Sequence, residues 1–183
     1  MNQVIEIKQK DGVIKRGRLK ILDEKYIDKI MNLQNNISKG LLHKDWYSPT
    51  KREEFILQLT NIGQIVGCVL EDDTLIAIGV YVKWKYEDHN YGYDLGISGE
   101  DLLKVGQIEA TLVHENFRGN GLQKKICMEL EEIARRRGDE IISATVHPEN
   151  IYSLKTFETL GYKVELEKLK YGGLRRFILK KCI

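Results

Sequence analysis

Apolar and polar positions divide the chain into segments of two periods. Val4, Ile5 and Ile7 begin an edge strand that residues 13–22 continue. Asp23-Glu24 then opens a helix carrying Ile27, Ile30, Met31 and Leu33 at helical spacing. Ser48-Pro49-Thr50 reads as a second helix start: Glu53-Glu54 in the first turn suits the helix dipole, and Phe55, Ile56 and Leu59 form its apolar face. Residues 63–70 and 74–85 are rich in Ile and Val and separated by Glu71-Asp72-Asp73, the pattern of a β-hairpin. A polar and aromatic connection over 86–104 leads to a strand at 105–113. Leu122, Ile126, Leu130, Ile133 and Ala134 then make one stripe on a helix ending near Gly138. Residues 141–146 read as a buried strand and 150–160 as a helix with Gly161 as its left-handed C′ residue. Residues 164–169 and 175–183 close the chain as an antiparallel pair. The expected order, β-α-α-β-β-β-α-β-α-β-β, is mixed α/β with a meander and one crossover helix. It lacks the strict alternation of a doubly wound sheet.

Composition narrows the function classes. The 183 residues fit one domain spanning 1–183, and 42% hydrophobic with 31% charged residues is ordinary for a globular chain. The balance of 29 basic against 27 acidic residues is too even to imply a nucleic-acid or membrane partner. Cys68, Cys127 and Cys182 are odd in number, far apart and without metal-ligand spacing. Residues 1–10 contain no apolar leader, so these cysteines read as reduced thiols of a cytoplasmic protein. His89 beside Asp88 has no second histidine at ligand spacing, and no metal is expected.

The chemistry concentrates at Arg118-Gly119-Asn120-Gly121-Leu122-Gln123-Lys124-Lys125, between a strand and an amphipathic helix. Two glycines one residue apart let a ligand approach the backbone, and the helix N-terminus aims N–H groups at the same place: an anion cradle. A dinucleotide fingerprint needs a third glycine where Lys124 stands, and a P-loop needs four residues between its glycines. The segment instead resembles the pyrophosphate motif Gln/Arg-x-x-Gly-x-Gly/Ala of the GNAT superfamily of acyl-CoA-dependent N-acyltransferases, with Gln123 in place of the final small residue. A second segment, His147-Pro148-Glu149-Asn150-Ile151-Tyr152-Ser153-Leu154 through Phe157 to Gly161-Tyr162, resembles that family's Asn-x-x-Ser/Ala…Tyr-x-x-x-Gly-Phe/Tyr stretch.

That resemblance implies a three-layer α/β/α fold whose central, mostly antiparallel mixed sheet is splayed near the CoA site. It implies acetyl-CoA as cosubstrate and no metal. The cosubstrate would meet Leu112 and Val113 along the strand, then Arg118, Gly119, Asn120, Gly121, Leu122, Gln123 and Lys124, and Asn150 and Ser153 on the following helix. For Asn150, helix capping and ligand contact weigh equally. Glu109 is the candidate general base: it shares a strand face with Thr111 and Val113, and a carboxylate on an apolar strand is costly unless paired, exposed or functional. Phe157 stands where many family members carry a tyrosine, so no proton donor is expected there. A thiol of ordinary pKa, ~8.5, can leave with the help of water. The expected acceptor is the primary amine of a small molecule, attacking directly, with the acids and tyrosines of 86–103 as candidates for recognising it. Two alternatives stay open: a non-catalytic acyl-CoA-binding or regulatory module, motivated by Phe157 and Gln123, and a protein or peptide N-acetyltransferase. Monomer and homodimer are equally compatible with the sequence.

Overall fold

The computed structural model describes residues 4–183. One eight-stranded sheet runs through it in the order β1-β2-β3-β4-β5-β6-β8-β7. The strands are β1 Val4–Lys8, β2 Ile14–Ile21, β3 Gly63–Leu70, β4 Leu75–Val82, β5 Val105–Val113, β6 Ile141–Val146, β7 Lys163–Lys170 and β8 Leu174–Cys182. Every neighbouring pair is antiparallel except β5 with β6, which a helical crossover joins in parallel.

Helices cover both faces. Helix α1 (Ile27–Gly40) and the short α2 (Arg52–Leu57) lie on one side. There Ile30, Leu33 and Phe55 pack with Ile65, Ile78, Val80, Ala110 and Leu112. Helices α3 (Leu122–Arg136) and α4 (Ile151–Thr159) lie on the other, where Ile126, Leu130 and Phe157 meet Ala77, Ile108, Ile142 and Ala144. The three-layer expectation therefore holds. Helix α3 approaches β4 so closely that a Cβ on Gly79 would sit 2.3 Å from Ile126 Cγ2.

Two boundaries differ from the sequence reading. The single N-terminal strand region is a hairpin, because Gln9 and Val13 bond across a turn through Asp11 and Gly12. The second helix begins at Arg52 rather than at Ser48-Pro49-Thr50. Buried Gln34 of α1 captures Thr50 instead, accepting from its N–H and donating to its carbonyl, both at 2.9 Å. Tyr47 also donates to Gln34 Oε1 at 2.5 Å, so the segment is held extended beside the sheet.

The sheet opens in its middle. β5 pairs with β6 only from Val105↔Ile141 to Ile108↔Ala144, and beyond that point the two strands part. At the same place the β4–β5 register jumps from Val80↔Ala110 to Tyr81↔Ile108, leaving Glu109 as the extra residue of a β-bulge. The bulge changes strand parity. Ile108 belongs to the core under α3, while Ala110 and Leu112 pack on the α1 side.

Candidate active site

Splaying β5 from β6 creates a cleft of about 1110 Å³ that passes between the helices and reaches both faces of the sheet. That is above the usual range for small-ligand pockets, roughly 300–1,000 Å³, and leaves room for a large cosubstrate with a second molecule.

One end is the glycine loop. Gly119 and Gly121 have φ of +86° and +67°, the left-handed region where a side chain is strained. A Cβ on Gly119 would meet nothing within 4 Å, and one on Gly121 only Lys125 Nζ at 3.9 Å, so the backbone borders open space. Among the described residues, no backbone carbonyl accepts from the N–H groups of Gly119 through Lys124. Unclaimed donors at a helix N-terminus, with Arg118 and Lys124 on the same cleft wall, fit a pyrophosphate. Arg118 also donates through Nε to the Val113 carbonyl at 3.4 Å. Asn120 departs from the expected arrangement. Its side chain does not line the cleft; it accepts from Lys8 N–H at 2.9 Å and donates to the Lys8 and Phe117 carbonyls, locking β1 to the loop.

The middle of the cleft is bridged by Gln123. Its Nε2 reaches Thr111 Oγ1 of β5 at 3.0 Å and Ser153 Oγ of α4 at 2.8 Å. Asn150 caps α4 by accepting from Ser153 N–H at 3.3 Å, and it also lies on the cleft wall. Leu112 and Val113 line the same wall.

Phe157 is buried in the core rather than on the cleft. It belongs to the helix stop: Tyr162 N–H donates to the Phe157 carbonyl and Gly161 N–H to Glu158, a Schellman motif, with the Phe157 and Tyr162 rings 5.0 Å apart. Tyr152 of α4 does line the cleft, with an exposed side chain.

Glu109 sits on the bulge with both carboxylate oxygens engaged. Gln58 Nε2 donates to Oε2 at 2.7 Å; Trp84 Nε1 donates to Oε1, and so does Gln107 Nε2 at 2.9 Å. Burial pushes its pKa above the ordinary glutamate value, and the bonds from Trp84 and Gln107 only partly oppose this. Gln58 comes from the π-helical turn that ends α2, and Trp84 from the chain just after β4. Gln107 also accepts from Tyr91 N–H at 2.9 Å, tying Glu109 to the 86–104 connection.

That connection contributes less than the sequence suggests. Asp88, His89 and Tyr91 reach the cleft, but Asp94 is paired with Lys168 and Lys170, Asp101 pairs with Lys104, and Glu100 lies off the cleft. The β7–β8 turn supplies the missing wall. Tyr171 hydroxyl bonds those of Tyr91 and Thr145, and Arg176 lies beneath its ring; sequence pattern assigns neither to this cleft. At the far side His147 accepts from Glu149 N–H through Nδ1 and contacts Asp45 Oδ2 through Nε2 at 3.1 Å, closing β6 against the segment after α1.

None of the three cysteines lines this cleft, and all are free. Burial raises the thiol pKa of Cys68 to about 12 and that of Cys127 still further.

A family model described as the Acetyltransferase (GNAT) family matches residues 27–162. No curated protein sequence matches the chain. Among solved structures, the fold is shared with the Salmonella typhimurium protein yncA, solved with its cofactor acetyl-CoA (TM-score 0.68, 16% identity, 91% of this chain and 93% of that one). It is shared too with an N-acetyltransferase from Staphylococcus aureus Mu50 (0.69, 14%, 91% and 98%). A third is a ribosomal-protein-alanine N-acetyltransferase from Brucella melitensis (0.68, 16%, 91% and 99%).

Proposed function

The chain belongs to the GNAT acetyltransferase family, and from that premise we propose that it transfers an acetyl group from acetyl-CoA to the primary amine of a small molecule, by direct attack within one cleft. The observation that carries this reading is a buried carboxylate of raised pKa at the bulge and a loop of unclaimed N–H donors, both on the same cavity.

Acetyl-CoA supplies an activated thioester when bound. The N–H groups of Gly119 through Lys124, with Arg118, would hold its phosphates, and the unpaired edge of β5 at Leu112 and Val113 would hold its arm. Gln123 ties Ser153 of α4 to Thr111 of β5 on that side, and Asn150 caps α4. A protonated amine must lose its proton before attack, and Glu109 is the acceptor for it, directly or through one water. The raised pKa of Glu109 brings its proton affinity closer to what that step requires. Direct attack is supported by the cysteines: no thiol borders the cleft, and the buried ones resist ionisation. With Phe157 in the core, departure of the CoA thiolate relies on solvent.

Isothermal titration with acetyl-CoA, followed by free-thiol release over an amine panel, tests this. Saturable binding with amine-dependent thiol release supports transfer. Binding without release from any amine contradicts it and favours the acyl-CoA-binding module. A second reading, acetylation of a protein amine, draws on the ribosomal-protein-alanine N-acetyltransferase among the structural neighbours. The wall made by Tyr171 against Tyr91 and Thr145 favours the small acceptor.

A further inference from the structure

Arg176 of β8 lines the cleft, yet only 3% of its surface is exposed. A guanidinium carries five N–H donors and, when buried, is ordinarily met by a carboxylate. Here one nitrogen, Nη1, donates to the Arg175 carbonyl at 2.7 Å, and among the described residues no carboxylate forms an ion pair with Arg176. The Tyr171 ring, 5.4 Å away, offers an aromatic face but no acceptor for the remaining donors. Asp45 is near enough to act through its field, but its carboxylate meets His147. Lys170, on the same wall, is by contrast matched by Asp94. The carboxyl-bearing residues Glu109, Glu54 and Asp88 line the same cavity. The cleft thus holds, besides the glycine loop, three acidic residues and a buried guanidinium that no carboxylate among the described residues pairs with.

We propose that the acceptor is an amino acid, an amine with a carboxylate on the same small molecule, and that Arg176 binds the carboxylate while the amine faces Glu109. This names the substrate class of the proposed acetyltransferase and rests on that reading. A planar guanidinium suits a carboxylate geometrically, taking it by two parallel hydrogen bonds, and the low-dielectric site strengthens the pair.

The test compares L-α- and ω-amino acids with their carboxamides and with matched amines lacking the carboxylate, all at saturating acetyl-CoA with thiol release as readout. The expected result is a preference for at least one free acid over its carboxamide of about 100-fold or more in kcat/KM. In R176Q this preference collapses to within a few-fold while the acetyl-CoA Kd stays within threefold; R176K, which keeps charge but not the fork, falls between. Carboxamides or simple amines used as well as the acids would overturn the inference and leave acetyl transfer standing, as would an R176Q enzyme that keeps its preference. Acetyl-CoA binding without thiol release for any acceptor would overturn both.

Discussion

Replacing Glu109 with glutamine separates its chemical role from its structural one. The carboxylate accepts from Gln58, Trp84 and Gln107, and removing it altogether would strand three donors at about 1–3 kcal/mol each wherever water did not replace it. E109Q avoids most of that cost. Its Oε1 still serves Trp84 and Gln107, and its new amide faces Gln58, whose own Oε1 is buried without a donor and can be turned to accept by an amide flip. The variant also no longer buries a charge. Its stability should therefore stay within about 1 kcal/mol of the parent, a Tm change of roughly 2–4 °C for a chain of this size. Loss of a general base should instead lower kcat/KM by about 10²–10⁴-fold, or about 2.7–5.5 kcal/mol of barrier. The pH dependence gives an independent check. Burial raises the folded-state pKa of Glu109, so its favourable contribution to stability is complete below the unfolded-state value and is lost as pH rises through the folded one. Activity has the opposite sense, because the base works ionised: it falls as pH drops through that raised value, and this acidic limb should vanish in E109Q. Thiol-release kinetics over pH, with thermal unfolding by circular dichroism, read both. An E109Q enzyme within threefold of the parent rate and keeping its acidic limb would refute the assignment. A fall in Tm of more than about 8 °C accompanying the lost activity would show that Glu109 holds the bulge together rather than moving a proton.

Other perturbations probe the cradle and the core. In G121V the left-handed residue gains a strained side chain and the open side of the loop gains bulk; acetyl-CoA affinity should weaken at least tenfold by titration, and unchanged affinity would place the phosphates elsewhere. G79A forces a methyl against Ile126 at 2.3 Å, an overpacking that should cost about 1–3 kcal/mol in denaturant unfolding; no loss would mean that α3 can shift freely. F157Y adds a hydroxyl to a buried ring; kcat should not rise, and a rate gain would indicate that this position opens to the leaving group.

The legible parts of this protein are those set by local pattern. The β3–β4 hairpin, the stripe of α3 and the Gly161 stop are written in adjacent residues, and the glycine loop declares itself by spacing. Asp11-Gly12 is a readable turn signal, and it splits the N-terminal strand region in two. The delayed start of α2 was not readable, because Gln34, far away in the chain, claims both backbone groups of Thr50. Glu109 could be chosen from strand alternation, but its bulge is a property of two strands in register, and two of its three partners, Gln58 and Trp84, come from other segments. Asn120 illustrates the converse: it sits in the motif, yet tertiary contact with β1 takes its side chain. Arg176 lies in a strand that also carries Arg175, Lys180 and Lys181, and its burial, with the Tyr171 ring 5.4 Å away, is a tertiary property.

Amine-dependent acetyl transfer is the activity on which the roles of Glu109, the glycine loop and Arg176 all depend. The most direct measurement is mass spectrometry of the products alongside quantitation of free thiol, with acetyl-CoA and the amino-acid and amine panels. One acetylated amine formed per CoA released, and no acetyl group left on the protein, is the predicted result. Bound acetyl-CoA that yields no acetylated product with any amine, or turnover through an acetylated cysteine, would contradict it.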